Sequence, residues 1–289
     1  MEDTPLPVDE APLDQVHAFG VQTDELVEYE PHLPPSEATG RDLFSAVAIA
    51  FVIQFFLGVV IGVFSALQNG RHSGSQNLAY MAYLMPVTLV TTFAVSYYYV
   101  CAKYQKPFFD GFAIRRLTMS HVLRYVAIGF GLAFAAMLSL GIAYAISPKS
   151  LEGKSLVVRT MQNPQTAVLW MIFALCAPLV EELFYRGFAF PVLERRFNTR
   201  AALWIVAAWF AGMHLPQIAG DWPSVIGITF LSITVTWLRA RTESLTPSIL
   251  VHFVYNTALV LLSLIARGHT STEAGEEQLT QVLHLMYRG

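Results

Sequence analysis

The chain has 289 residues, a length that suits one large domain or two small ones. It is 54% hydrophobic and 13% charged, with about half the charged share of an ordinary soluble domain, and its mean hydropathy is +0.48. With only two cysteines, Cys101 and Cys176, this composition excludes an ordinary cytosolic enzyme, a disordered or collagen-like chain and a disulfide-rich secreted module. The net charge of −3 hides an asymmetry. Residues 1–42 hold 11 of the 21 acidic residues and one basic residue, Arg41, so residues 43–289 carry 10 acidic and 17 basic residues. An acidic tail joined to a mildly basic, apolar body suits anionic lipid headgroups as partners, and nothing in it reads as a nucleic-acid module.

Residues 1–42 contain six prolines and no sustained apolar period, which predicts a disordered or loosely docked tail. Its acidic start and late first apolar run argue against a signal peptide. The body, residues 43–266, is a series of apolar runs. Leu43–Leu67, Leu78–Ala102 and Tyr125–Ile146 are free of charge, and each exceeds the roughly 20 residues needed to cross a ~30 Å hydrocarbon core. Thr166–Leu193 is a fourth run, but it contains Glu181, Glu182 and Arg186. Ala201–Ala219 is a fifth; Pro223–Leu238 is shorter and reads as partly re-entrant or little tilted; Ser244–Ala266 is a seventh. Residues 267–289 form a short polar tail in which Glu276–Met286 could lie on the membrane surface. The expected fold is therefore all-α, a polytopic transmembrane helix bundle of about seven spans. Basic residues flanking the spans number 11 on one side and 6 on the other. By the positive-inside rule this places the N-terminus in the cytoplasm of a multi-pass protein of the plasma (inner) membrane.

Ionisable groups inside a span are costly, so each is a functional candidate. The first three spans lack them. The later ones hold Glu181, Glu182, Arg186, His214, His252 and Asn256. Glu182 and Arg186 are four apart and share a helix face, so they can pair. Their simplest role is an ion pair that fixes packing. Glu181 is rotated about 100° away, which leaves one carboxylate available as a general base. His214 alone reads as a packing histidine, with Phe210 one turn before it walling the site. Gly212 and Pro216 suggest an irregular helix end where polar groups can be presented. His252 and Asn256 lie one turn apart on one face and can donate hydrogen bonds to a developing negative charge, or form a plain interhelical clasp.

Depth connects them. Glu181 is 14 residues from Arg195, His214 is 14 from Arg200, and Asn256 is 15 from Arg241. At 1.5 Å per residue each lies ~21–22 Å from its marker arginine, and His252 ~16 Å. Four polar groups from three helices at similar depth point to one buried site.

In order and on separate helices, Glu181-Glu182-x-x-x-Arg186, Phe210-x-x-x-His214 and His252-x-x-x-Asn256 resemble the three motifs of the CPBP family, the CAAX-prenyl-protease-like (Abi, Rce1-type) intramembrane endopeptidases. The stretch Thr242–Ile249 is similar to the family's approach to its third motif. The resemblance covers about 166–262. It implies an intramembrane endopeptidase acting on a peptide or membrane-protein substrate that can be prenylated. In it Glu181 and His214 would activate a water, and His252 and Asn256 would stabilise the tetrahedral oxyanion. Glu182 and Arg186 would hold the helices in register.

Two histidines and a glutamate (Glu181, His214, His252) are the set that could hold zinc, but there is no His-Glu-x-x-His helix, and the resemblance implies a glutamate-dependent enzyme without a required metal or other cofactor. Two other function classes compete. One is a non-proteolytic membrane scaffold, immunity or regulatory protein on the same fold. The other is a proton-coupled transporter, against which stands the lack of an internal repeat. Ser-based catalysis has no Gly-x-Ser-x-Gly elbow. Cys176, in an apolar helix, reads as packing.

Overall fold

The computed structural model describes residues 37–69, 74–146, 164–218 and 221–262. Helix α1 is Gly40–Asn69. Helix α2, Gly74–Tyr97, runs on into a π-helical turn at Tyr98–Ala102. The short α3 is Phe108–Gly111 and α4 is Met119–Ile146. Helix α5, Pro164–Glu182, passes through a π-helical segment, Leu183–Ala189, into α6, Phe190–Arg196. Helices α7, Thr199–Ile218, α8, Trp222–Thr242, and α9, Thr246–Leu262, complete it. There is no strand among the described residues, so the fold is all-α, as the apolar runs require. The polar C-terminal tail with its Glu276–Met286 segment lies outside the described residues, as does the acidic segment 1–36.

Where they are described, the seven apolar runs lie on helices, apart from Ser244 and Leu245 just ahead of α9. By length and composition, four helical stretches can cross a membrane: Gly40–Val63, Leu84–Ala102, Met119–Ala143 and Trp222–Thr242. The expected count of seven goes beyond these four; α9 is a shorter apolar helix of 17 residues. The run at 223–238, expected to be short or partly re-entrant, is instead a full-length helix. Its ends are set by polar residues that an apolar count leaves out. The Asp221 side chain caps the N-terminus by accepting from the Ser224 N–H at 3.2 Å, and Pro223 suits the first turn. At the other end Glu243 adopts a left-handed conformation (φ 52°) and donates its N–H to Arg239 O, a common helix stop.

The tail expected to run through residue 42 is already helical from Gly40. Thr39 and Asp42 form a capping box: the Thr39 N–H donates to Asp42 Oδ2 at 2.7 Å, and the Asp42 N–H donates back to Thr39 Oγ1 at 3.3 Å. Beyond the π-helical turn, Lys103 Nζ donates to Asp42 Oδ1 and Tyr104 Oη to Asp42 Oδ2 at 2.7 Å. Arg195 donates to the Ala38 carbonyl, and Lys106 pairs with Glu37 at 3.3 Å. The Asp42 bond holds the Lys103 ammonium above its usual lysine range and, for the same reason, the Tyr104 phenol above its own. Charged residues thus fasten the start of α1 to α2 and α6.

Two apolar clusters fill the bundle. One surrounds the π-helical segment: Leu183, Phe184, Tyr185, Phe188 and Phe190 pack with Val100, Phe112, Val206, Phe210 and Leu245. The other joins α4, α8 and α9 through Tyr125, Ala133, Leu231, Val235, Val251 and Tyr255. Small residues set the helix spacing there, as is usual where lipid removes the hydrophobic drive for association. A Cβ on Gly129 of α4 would lie 2.8 Å from Val254 Cβ and 2.9 Å from Val251 O. Cys176 is exposed, not packed as its apolar surroundings suggest, because the outward face of a membrane helix is as apolar as its inward one.

Candidate active site

The site begins where α5 changes register. Pro191 has no N–H to continue the helical ladder and its ring crowds the carbonyl four residues back. Ahead of it the chain widens to the π-helical pattern, with the Phe190 N–H bonded to Tyr185 O. Such bulges are frequent at functional sites. All seven residues of this segment are buried. It carries Arg186 inward, where both Arg186 and Glu182 have 0% side-chain exposure. Arg186 Nη1 donates to Glu182 Oε1 at 2.9 Å, the i,i+4 pair that the spacing predicts.

Glu182 Oε1 also accepts from His252 Nδ1 at 2.9 Å. A carboxylate oxygen that already receives the guanidinium requires the hydrogen of this bond to lie on Nδ1. The opposite ring atom, His252 Nε2, then faces Glu181, 3.7 Å from its Oε2. On the other side His214 Nε2 is 3.9 Å from Glu181 Oε1. His214 Nδ1 donates to the Phe210 carbonyl at 2.9 Å, which fixes its tautomer in the same way. Glu181 therefore stands between two imidazole Nε2 atoms, each ring held by its Nδ1. Glu181 is 23% exposed and His214 19%, whereas His252 is 3% exposed. The cluster is closed on the Glu182 side and reachable on the Glu181 side.

Phe210 is central to the packing. Its ring is 4.5 Å from the His214 ring, 5.6 Å from the His252 ring in an edge contact, and 4.5 Å from the Arg186 guanidinium carbon. It shields the buried ion pair and backs both imidazoles.

Asn256 is tied elsewhere. Its Nδ2 donates to Ala174 O on α5 at 2.8 Å. Ala174 lies four residues before Pro178, which sits inside α5. Pro178 cannot supply the N–H that would otherwise reach that carbonyl, so Asn256 satisfies a backbone oxygen freed by a proline, as buried membrane backbone requires. The amide has a second hydrogen. The structure thus brings Glu181, Glu182, Arg186, Phe210, His214 and His252 into one cluster and joins Asn256 to α5 two turns before Glu181.

Two residues of the cluster carry no motif signal. On α8, Ser232 and Thr236 are fully buried. Arg186 Nε donates to Thr236 Oγ1 at 3.0 Å, and Nη2 to Ser232 Oγ at 2.9 Å and Ser232 O at 3.1 Å. Every nitrogen of the guanidinium is thereby engaged. Their i,i+4 spacing in an apolar helix is the one sequence feature that could have singled them out.

The zinc alternative meets a geometric test. Ligands on a tetrahedral zinc with bonds of about 2.0–2.1 Å stand about 3.3 Å apart. The Glu181–His214 and Glu181–His252 separations of 3.9 and 3.7 Å are wider. Among the described residues, no group of three His, Cys, Asp or Glu side chains is arranged to hold a metal ion.

No curated protein and no solved structure shows a significant match to the chain. Residues 163–258 match the family model described as type II CAAX prenyl endopeptidase Rce1-like, a stretch that contains every residue of the cluster. Together with four helical stretches long and apolar enough to cross a bilayer, the match makes the chain an integral membrane protein. Over that stretch it is similar to the Rce1-like, CPBP-type family of CAAX endopeptidases.

Proposed function

We propose that the chain is an intramembrane endopeptidase that hydrolyses a peptide bond of a membrane-associated or lipidated substrate. The observation that carries this reading is the position of Glu181 between His214 Nε2 and His252 Nε2, at 3.9 and 3.7 Å. Those gaps are too long for direct hydrogen bonds and suit one bridging water. Glu181, helped by the His214 lone pair, takes a proton from that water as its oxygen adds to the scissile carbonyl. The carbonyl oxygen becomes an oxyanion. The second Nδ2 hydrogen of Asn256 is a donor offered to it, and His252 Nε2 is another when that atom carries a hydrogen. Preorganised donors of this kind contribute about 10²–10³ in rate each. Collapse of the tetrahedral intermediate breaks the C–N bond, and the proton held by Glu181 passes to the leaving amine. Peptide and water are converted to one carboxylic acid and one amine.

Glu182 and Arg186 act behind His252, holding its Nδ1 and hence the orientation of its ring. Placement in the bilayer lets a substrate helix or lipid-bearing tail arrive laterally while the water stays enclosed. The test compares new peptide termini in membranes carrying wild-type protein and Glu181→Gln at equal expression. Termini found only with the wild type are expected. Identical terminus profiles from the two folded proteins would favour a non-proteolytic role on the same fold.

A further inference from the structure

The guanidinium of Arg186 does not pair with Glu182 side-on. A free arginine–glutamate pair tends to use two parallel bonds, one to each carboxylate oxygen. Here only Nη1 reaches the carboxylate, and Glu182 Oε1 receives it together with His252 Nδ1, while Oε2, fully buried, has no hydrogen-bond partner. The remainder of the guanidinium is turned toward α8 by Thr236 Oγ1 and by Ser232 Oγ and O.

Both hydroxyls are used twice. Thr236 Oγ1 accepts from Arg186 and donates to Ser232 O at 2.7 Å. Ser232 Oγ accepts from Arg186 and donates to Ala207 O on α7 at 3.0 Å. Each hydroxyl hydrogen is committed to a backbone carbonyl, so each oxygen can only accept from the guanidinium. The orientation of the cation is therefore set by its contacts on α8 together with the single bond to the glutamate.

We propose that Ser232 and Thr236 are positioning residues for the reaction. By drawing two edges of the Arg186 guanidinium onto α8, they prevent a two-point pair with Glu182 and leave Oε1 oriented to hold His252 Nδ1. The path runs Ser232/Thr236 to Arg186, to Glu182, to His252, through five side chains that are each nearly or fully buried. This inference rests on the endopeptidase reading for its catalytic consequence, but its structural content can be measured without turnover.

The test uses the full chain in detergent micelles with ¹⁵N-labelled histidine. The His252 imidazole resonances are assigned by their loss in His252→Gln. At one fixed pH, Ser232→Ala and Thr236→Val are expected to shift them, and Thr236→Ser, which keeps the hydroxyl, is expected to leave them at the wild-type position. Ser232→Ala decides the question if Thr236→Val does not fold. Unmoved His252 resonances in the folded Ser232→Ala protein overturn the proposal.

In parallel, turnover of an internally quenched peptide ending in a farnesylated CAAX sequence is measured, with Glu181→Gln as the reference. The kcat of Ser232→Ala and Thr236→Val is expected to fall about tenfold with KM within about twofold, the size of one lost hydrogen bond to a charged group. Glu181-dependent turnover that is equal in wild type and both α8 variants also overturns the proposal. Shifted resonances without Glu181-dependent turnover in the wild type would sustain the positioning and refute the peptidase reading, so the two failures are distinguishable.

Discussion

Glu182 and His252 are joined Oε1 to Nδ1 at 2.9 Å, in a place where the glutamate is wholly buried and the histidine nearly so. The same Oε1 receives Arg186. One oxygen atom thereby couples the helix-fixing ion pair to the imidazole that faces Glu181. The consequence is that Glu182 cannot be removed without leaving a buried cation uncompensated. Breaking a buried pair in this way costs about 3–5 kcal/mol. Glu182→Ala should lower the unfolding free energy in a fixed detergent by that amount, and activity should be lost with it. Arg186→Lys should do nearly as badly, because an ammonium cannot span Glu182, Ser232 and Thr236 as the planar fork does. A thermal unfolding midpoint within two degrees of wild type for either variant would contradict this.

Glu181 should behave in the opposite way. It is partly exposed, and its two histidine neighbours lie beyond hydrogen-bond distance. Glu181→Gln should therefore leave the unfolding midpoint close to that of the wild type while abolishing cleavage. A loss of about 10³ in kcat is expected for a general base of this kind, the middle of the usual range of about 10²–10⁴. Parallel melting curves and peptide turnover for Glu181→Gln and Glu182→Ala separate the two adjacent carboxylates: the first loses chemistry only, the second both.

Much of this arrangement was legible in the sequence, for physical reasons that differ by residue. Charge inside a membrane helix is so costly that Glu181, Glu182, Arg186 and His214 stood out by type alone. Helical periodicity separated the two glutamates. Counting residues from Arg195, Arg200 and Arg241 placed the groups at one level, and the structure holds Glu181, His214 and His252 within 3.9 Å neighbour to neighbour. Asn256 meets Ala174 O, a contact that depends on Pro178 and that residue counting does not show. Ser232 and Thr236 were not legible, since hydroxyls are common in membrane helices and mostly bond their own backbone. Nor were the true ends of α8 or the start of α1, which depend on Asp221, Thr39 and Asp42 as caps, not on apolarity.

Pro178 gives Asn256 its partner, and this can be tested. Pro178→Ala supplies an N–H that can bond Ala174 O within α5, releasing the Asn256 amide that now satisfies that carbonyl. The variant should be as stable as the wild type or more so, since a helix-interior proline costs about 3 kcal/mol. Peptide turnover should nevertheless fall, because Asn256 is no longer held. Turnover at the wild-type rate in a stabilised Pro178→Ala protein would mean that the Ala174 bond has no part in placing Asn256.

The α4–α9 contact at Gly129 makes a purely structural prediction. A methyl group there would meet Val254 Cβ at 2.8 Å and the Val251 carbonyl at 2.9 Å. The carbonyl belongs to helix backbone and cannot swing aside. Gly129→Ala gains helix propensity worth up to about 1 kcal/mol, but overpacking costs about 1–3 kcal/mol, so a net loss is expected. Because Val251 precedes His252, the displacement should also reduce turnover. A higher unfolding midpoint for Gly129→Ala would show that α9 can move away freely.

The fastening of α1 carries a pH dependence whose sign follows from its partners. Lys103 is held above its ordinary value of 10.5, chiefly by its bond to Asp42, and Tyr104 above 10.0 for the same reason. In both cases the folded protein keeps a proton that the unfolded chain gives up first. The unfolded state thus binds fewer protons above pH 10, and stability must fall as pH rises. The contribution is complete at neutral pH, begins to weaken near pH 10 and disappears as the pH passes through the raised folded values. Asp42→Asn removes the charge that raises both groups, so its unfolding midpoint should be lower than wild type at pH 7 and the gap should narrow at alkaline pH. Thr39→Ala, which removes the helix cap but leaves Lys103 and Tyr104 on Asp42, should cost about 1 kcal/mol with no such narrowing. Unfolding midpoints of the three proteins measured from pH 7 to pH 11 decide this: a constant gap between wild type and Asp42→Asn would show that neither Lys103 nor Tyr104 draws on Asp42.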